Sequence, residues 1–189
     1  MQRTLNEEFS IEGKGLHTGL DIHITFRPAP DNYGYSIRRV DLPGKPVIKA
    51  SAENVCSTER GTVLSEDGVQ VGTVEHALAA LYASRIDNCL IDVDAPEFPI
   101  LDGSSITFIN KIIQAGIREQ AEERIYYMPE KKIEDIDEKS GSHLILLPAD
   151  EFKIQCQVMY DSDILHVQSA HLNNLSDFHK EIAMCRTFV

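Results

Sequence analysis

The 189-residue sequence lacks several features that would each point to a class of protein. It has no run of 18 or more apolar residues, so it predicts no membrane-spanning helix. Residues 1–8 contain no apolar segment of the kind that secretory signals have. The four cysteines are far apart and form no Cys-x-x-Cys pair, which favours reduced thiols used mostly as buried filler. These absences together predict a cytoplasmic location.

Positive charge is also scarce. The chain has 18 Lys and Arg against 30 Asp and Glu, which gives a formal net charge of −12. Because phosphate binding needs a basic surface, we expect no nucleic-acid partner. An anionic substrate would have to be met by a few local cations. Arg38-Arg39 and Lys131-Lys132 are the adjacent pairs that fit this role, although such pairs usually belong to ordinary surface.

The hydrophobic content of 42% is ordinary for a protein that buries a core, and its pattern predicts strands. Residues 20–27 alternate, with Ile22, Ile24 and Phe26 on one face, as in a half-buried strand. A short apolar run over residues 89–93 predicts a second strand.

Two helices are predicted in the first part of the chain. The first begins after Thr73, a good N-cap residue, and continues through the helix-forming residues 77–81. The second follows Ser104-Ser105 and ends at Gly116, which is suited to a C-terminal cap. Its inner positions would be Ile106, Ile109, Ile112 and Ile113.

After the polar residues 119–124 the pattern starts again. Further strands are predicted at residues 125–128, 144–147 and 152–160, and a short helix after Ser176 with Phe178 and Ile182 inside. The fold class is therefore α+β, with one complete domain over residues 1–120 and the N-terminal part of a second over 124–189. The chain stops at an apolar stretch without a cap, so we expect the second domain to be incomplete.

The segment from Gly72 to Leu81 carries the strongest chemical signal. Glu75 and His76 are adjacent in the first turn of the predicted helix, where unpaired backbone N–H groups favour a carboxylate. A metal hydrolase needs both side chains close together, an imidazole to hold the ion and a carboxylate to take a proton. Taken alone, such a pair is more often a solvated cap and a packed ring.

Four ordered segments make the pattern specific: residues 13–19 (GKGLHTG), 73–81 (TVEHALAAL), 95–104 (APEFPILDGS) and 186–188 (RTF). This series closely resembles the UDP-3-O-acyl-N-acetylglucosamine deacetylases, the zinc enzymes of lipid A synthesis. The resemblance implies two similar α+β domains, each a small sheet with helices on one side, and an active site between them. It also implies a UDP-linked acylated amino sugar as substrate, with peripheral contact to the inner membrane surface.

The resemblance assigns roles to individual residues. His76 would be a zinc ligand, and Glu75 the general base for the water that the zinc activates. Thr187 would stabilise the tetrahedral oxyanion, and Phe188 would line the entrance for the acyl chain. Tyr160 falls where the family has a ring that stacks on the nucleotide base. His17 would lie near the cleft without a chemical role; outside the family it would simply shape a glycine-bounded turn.

The largest departure from the family is an absence. The family completes its zinc site with a downstream His-x-x-x-Asp helix. Of the seven histidines only His17 is followed by Asp at that spacing (Asp21), and it lies upstream of Glu75 and His76, where no helix is predicted. Because a catalytic zinc site usually has three protein ligands, we expect this chain to be inactive alone and to need the C-terminal remainder of the protein. A non-catalytic UDP-sugar-binding protein and a purely structural fragment remain the alternatives. Residues 184–189 resemble the subgroup that is fused to a hydroxyacyl-carrier-protein dehydratase.

Overall fold

The computed structural model of the chain describes residues 1–161, 163–164 and 166–187. These residues form two compact units. Unit 1 is Met1–Arg124 together with the described residues from Phe178 onward, and unit 2 is Ile125–Asp177. The sequence-based division into domains 1–120 and 124–189 stays a prediction, because the units report only which residues pack together.

Unit 1 contains most of the regular structure. In chain order its elements are β1 (Arg3–Leu5), β2 (Phe9–Lys14), β3 (Asp21–Pro28), β4 (Tyr35–Arg39), β5 (Val47–Lys49), β6 (Val55–Ser57), β7 (Val63–Glu66), β8 (Val69–Val71), α1 (Glu75–Ala83), β9 (Cys89–Val93), α2 (Ile106–Ala115), β10 (Ile117–Glu119) and, later in the chain, α3 (Phe178–Glu181). Mixed helices and sheets confirm the α+β prediction. No helix in the described part of the chain is long and apolar enough to cross a membrane.

The described strands of unit 1 form a main sheet with the order β2-β3-β9-β4-β5. Its neighbours are antiparallel except β4 and β9, which run parallel. The shorter strands β6, β7 and β8 form a second antiparallel sheet, and β1 pairs with β10. The predicted strands at residues 20–27 and 89–93 are confirmed as β3 and β9, two neighbours in the main sheet.

One face of the main sheet is the core of unit 1. Ile24 pairs with Val93 and Phe26 with Ile91, and all four side chains are fully buried. The predicted alternation in β3 is therefore correct. The Phe26 ring meets the Phe108 ring of α2 edge-on, with centroids 6.0 Å apart, which attaches the helix to the sheet.

Helix α2 begins and ends close to where the sequence predicts. Gly116 is its C-cap residue with φ of +74°, a conformation that glycine adopts without strain. The inner face is Phe108, Ile109, Ile112 and Ala115. The prediction for Ile113 is wrong, since its side chain is 59% exposed. Phe108, which was not among the predicted inner residues, is buried because its ring packs against the Phe26 ring of the sheet.

Unit 2 is built from the antiparallel strand pairs β11 (Ile133–Asp137) with β12 (Ser142–Leu146), and β13 (Ile154–Val158) with β14 (Gln168–Leu172), followed by a short 3-10 turn (Leu175–Asp177). The predicted strand at residues 125–128 is wrong: this segment has no regular structure, and its side chains are 68–87% exposed. An apolar run forms a strand only when another strand supplies hydrogen bonds, and none of the described strands pairs with it.

The four cysteines only partly match the expectation of buried filler. All are free thiols, and Cys89 in β9 is fully buried. Cys56, Cys156 and Cys185 are exposed. The difference follows from position, because Cys89 lies in the middle strand of the main sheet.

Candidate functional site

Glu75 and His76 are the first two residues of α1, and both side chains are half-buried. The predicted N-cap is wrong, because the N-cap residue is Val74 and it makes no side-chain hydrogen bond to the helix. Thr73 is 4% exposed and has φ of +56°, a left-handed backbone that is rare for a β-branched residue. Its hydroxyl donates to Glu97 at 3.2 Å instead. Strained backbone of this kind is concentrated at functional sites.

The carboxylate of Glu75 is held by the loop before β7. The backbone N–H of Thr62 donates to its Oε2 at 3.0 Å. No hydrogen bond in the described part of the chain uses the other oxygen, Oε1. A Cβ built on Gly61 would lie 3.3 Å from this Oε1 and 3.9 Å from Nε2 of His17. Glu75 therefore has one anchored oxygen and one oxygen that shares a space with the His17 imidazole.

Two segments that are distant in sequence meet next to this pair. The N–H of Ile100, in the 95–104 segment, donates to the carbonyl of Lys14, in the 13–19 segment, at 3.0 Å. Gly72, just before α1, forms two backbone hydrogen bonds of 2.9 and 3.0 Å with the 95–104 segment. Three of the four segments that carry the resemblance are thus brought together by the fold.

Glu97 lies at the junction of these segments and is 3% exposed. Its Oε1 accepts from the N–H of Thr18 at 2.7 Å and from the Thr18 hydroxyl at 2.6 Å. The N–H of His17 lies 3.2 and 3.3 Å from the two carboxylate oxygens. Burial raises the pKa of Glu97, but the hydrogen bonds from Thr18, His17 and Thr73 outweigh it and hold the pKa below its usual value.

A cleft of about 560 Å³ opens at the same junction. It is lined by His17, Thr18, Glu59, Arg60, Gly61, Val63, Gln70, Gly72, Thr73, Pro96 and Glu97. The lining combines an imidazole, hydroxyl groups, carboxylates and a guanidinium, so the cleft can orient a polar ligand by hydrogen bonds.

The other predicted site residues lie in three different parts of the chain. The N–H of Thr187 donates to the carbonyl of Gly103 at 2.8 Å, so Thr187 lies against the turn before α2. Arg186 lies 3.9 Å from Asp102 in this turn, which fits a role in holding the segment. Tyr160 belongs to unit 2. Phe188 lies outside the described residues.

The cationic pair Arg38-Arg39 is already engaged. Arg38 forms two hydrogen bonds of 2.7 and 2.8 Å to the carboxylate of Asp92. Arg39 forms a similar fork with Asp41, at 2.9 and 2.7 Å. Each guanidinium is thus already paired with a carboxylate of the chain, which weakens the case for this pair as the cations that meet an anionic ligand.

A metal site requires several His, Cys, Asp or Glu side chains that lie close enough together to bind one ion. Among the described residues, no group of three or more His, Cys, Asp or Glu side chains is placed to hold an ion. A catalytic zinc site usually has three protein ligands, and the described residues do not bring three such side chains together.

Sequence reasoning missed Glu97, Thr18 and the loop that carries Gly61 and Thr62. A signal for Glu97 was present, because it is an acidic residue between prolines in the otherwise apolar stretch 95–101. A carboxylate in such a setting is buried only when donors surround it. The loop gave no signal in the sequence. Its part in the site depends on the backbone N–H of Thr62 and on the lack of a side chain at Gly61.

The described fold is that of an α+β protein in which a glutamate and a histidine are adjacent at the N-terminus of a helix. The chain belongs to the UDP-3-O-acyl N-acetylglycosamine deacetylase (LpxC) family, whose profile matches residues 2–189. It is similar to a Porphyromonas gingivalis protein named "Bifunctional enzyme LpxC/FabZ", with 56% identity over 100% of the chain and 41% of that protein. A Bacteroides thetaiotaomicron protein of the same name is 53% identical, with the same coverage. A Myxococcus xanthus protein named "UDP-3-O-acyl-N-acetylglucosamine deacetylase" is 41% identical over 99% of the chain and 59% of its own length.

The chain thus spans between two fifths and three fifths of the length of these curated relatives. Family membership applies to the chain itself. The activity, substrate and partners of a whole protein do not follow from it directly.

Proposed function

We propose that the complete protein removes the N-acetyl group from a UDP-3-O-acyl-N-acetylglucosamine in lipid A biosynthesis, and that this chain supplies its general base. The observation that carries the proposal is the state of Glu75, with Oε2 anchored by the Thr62 N–H and Oε1 facing the space shared with His17. The family match over residues 2–189 supports the same reaction.

Glu75 suits proton abstraction for a physical reason. A general base must hold a fixed position and keep one acceptor directed at the proton that it takes. The Thr62 N–H fixes one carboxylate oxygen of Glu75 without using the other. Gly61 adds no side chain to the space in front of the free oxygen, so a water molecule and an amide can approach it.

Zinc is part of this proposal, although the described residues of the chain do not make a complete site. His76 would supply one ligand, and the family resemblance implies that a His and an Asp from beyond Val189 supply the others. The chain alone is then expected to be inactive.

Further roles follow from the resemblance. Thr187 would donate its hydroxyl to the oxyanion, and its segment is held by the backbone hydrogen bond to Gly103. Phe188 would line the entrance for the acyl chain, and Tyr160 would stack on the base of the UDP group. The reaction would take place in the cytoplasm, with peripheral contact to the inner membrane surface where acylated sugars gather.

The test is acetate release from UDP-3-O-acyl-N-acetylglucosamine by the complete protein as its host makes it. We expect activity that a zinc chelator removes and zinc restores, and none from residues 1–189 alone. Replacing Glu75→Gln should lower kcat by about 10²–10⁴-fold because the base is lost.

The matched control is Glu12→Gln, at an exposed glutamate of β2, which should keep full activity. Binding of the UDP-sugar without any acetate release by the complete protein would favour the non-catalytic alternative. Unchanged kcat in Glu75→Gln would show that another group takes the proton.

A further inference from the structure

Glu97 is an unusual carboxylate because it is buried without a cation. It is 3% exposed, and in the described part of the chain no side-chain nitrogen of Lys, Arg or His lies within 4.0 Å of its carboxylate oxygens. Removing a carboxylate from water is costly unless strong partners replace the water. Here the partners are two threonine hydroxyls and two backbone N–H groups. The carboxylate of Glu97 therefore holds in place the segments that carry these donors.

The two oxygens of Glu97 accept hydrogen bonds from different segments of the chain. Oε1 holds Thr18, and with it the loop that carries His17. Oε2 accepts from the hydroxyl of Thr73, two residues before Glu75. One side chain therefore connects the His17 loop to the start of α1.

The loop is shaped around this carboxylate. A Cβ at Gly15 would lie 2.1 Å from Oε1 of Glu97 and 2.5 Å from the hydroxyl oxygen of Thr18. Both distances are too short for any side chain, and the atoms concerned are held by their own hydrogen bonds. Residue 15 is consequently restricted to glycine by Glu97 and Thr18.

We propose that Glu97 is a positioning residue, which fixes His17 and Glu75 relative to each other beside Gly61. The two side chains are already close, since both lie within 4 Å of the same point beside Gly61. Glu97 acts only through them, because its oxygens are occupied by donors from the chain. This role rests on the proposed function, in which Glu75 is the base.

The first test compares Glu97→Ala and Glu97→Gln in the complete protein by steady-state kinetics. Alanine leaves the Thr18 and Thr73 donors without an acceptor, and the base shifts. A misplacement of about 1 Å costs roughly 10²-fold, so we expect kcat to fall by about that factor. Glutamine keeps an acceptor oxygen of the same shape, so it should recover at least about tenfold of this loss.

The matched control is Asp92→Asn. Asp92 is also a buried carboxylate, 8% exposed, but its partners are Arg27 and Arg38 on the main sheet. This variant should lower thermal stability and leave kcat unchanged. If Glu97→Ala lowers stability as Asp92→Asn does and leaves kcat unchanged, Glu97 is only structural and the proposal is overturned.

A second readout does not depend on activity. The Thr18 N–H donates to a charged acceptor at 2.7 Å, so its amide proton should resonate far downfield in protein labelled with ¹⁵N-threonine. Glu97→Gln should move that resonance upfield and also shift the ring signals of His17, whereas Asp92→Asn should move neither. An unmoved His17 signal in Glu97→Gln contradicts the positioning role. If the amide and ring signals respond but the complete protein releases no acetate, the proposed function fails and the positioning role stands.

Discussion

At the scale of single residues, burial separates the four thiols of the chain by reactivity. Cys89 is fully buried in β9, and burial raises the pKa of its thiol to about 12. The reactive form of cysteine is the thiolate, which at neutral pH is almost absent from such a group. Cys56, Cys156 and Cys185 are exposed to solvent.

We therefore expect native protein treated with iodoacetamide at neutral pH to be modified at the three exposed cysteines and not at Cys89. Mass spectrometry of peptides after a timed reaction measures this directly. Unfolding in urea should make all four react, which serves as the internal control. Rapid modification of Cys89 in native protein would contradict the buried position of β9.

The residue scale also shows the limits of reading a site from sequence. The position of Glu75 and His76 at a helix start could be predicted because it follows from adjacent residues, whereas their chemical roles stay a proposal. The sequence around Glu97 signals a buried carboxylate but not its role, because that role depends on donors 79 and 24 residues away in the chain. The prediction that Thr73 caps α1 failed for the same reason. Its hydroxyl forms a hydrogen bond with Glu97, which is distant in sequence, and not with the backbone of the helix.

At the scale of elements, periodicity was a good guide wherever one face is buried. It predicted β3 and α2, whose apolar residues repeat with the period of a strand and of a helix, whereas β9 was predicted from a short apolar run. It failed at Ile113 because an apolar residue at the margin of a helical stripe is buried only if a partner covers it. The 125–128 segment failed similarly, since an apolar run does not specify its pairing strand.

Adjacent isoleucines in α2 offer a matched pair of substitutions. Ile112 is fully buried and Ile113 is 59% exposed. We expect Ile112→Ala to lower the free energy of unfolding by about 2–5 kcal/mol, through lost burial and a cavity, and Ile113→Ala by less than about 1 kcal/mol. Urea unfolding of this chain followed by circular dichroism measures both. Equal losses would mean that the helix turns a different face to the sheet.

At the scale of the whole molecule, the two units differ in how much apolar surface they bury. The core residues of β3 and β9 in unit 1 are fully buried. In unit 2, every residue of β11 and β12 is exposed, including Leu144 at 71%. Regions with few buried apolar side chains open locally at low free energy.

Hydrogen exchange should therefore distinguish the units in this chain. We expect the amides of β11 and β12 to exchange much faster than those of β3 and β9 at neutral pH, measured by mass spectrometry of peptides. The strands β11 and β12 are hydrogen-bonded to each other, as are β3 and β9. The two pairs therefore differ in the burial of their side chains and not in the presence of hydrogen bonds. Equal protection in the two units would show that unit 2 opens only with the whole molecule.

The strand order of the main sheet has a consequence for synthesis. β2 with β3, and β4 with β5, are antiparallel neighbours that lie close in sequence, but only β9 joins the two pairs. β9 ends at Val93. More than 50 residues beyond the end of β4 must therefore leave the ribosome before the sheet can close. Until then both pairs carry an unpaired edge next to an apolar face, which is the surface that aggregates between chains. We expect a nascent chain whose Val93 is still inside the ribosome to depend most on chaperones, and one whose Val93 has just emerged to be the first that can complete the sheet.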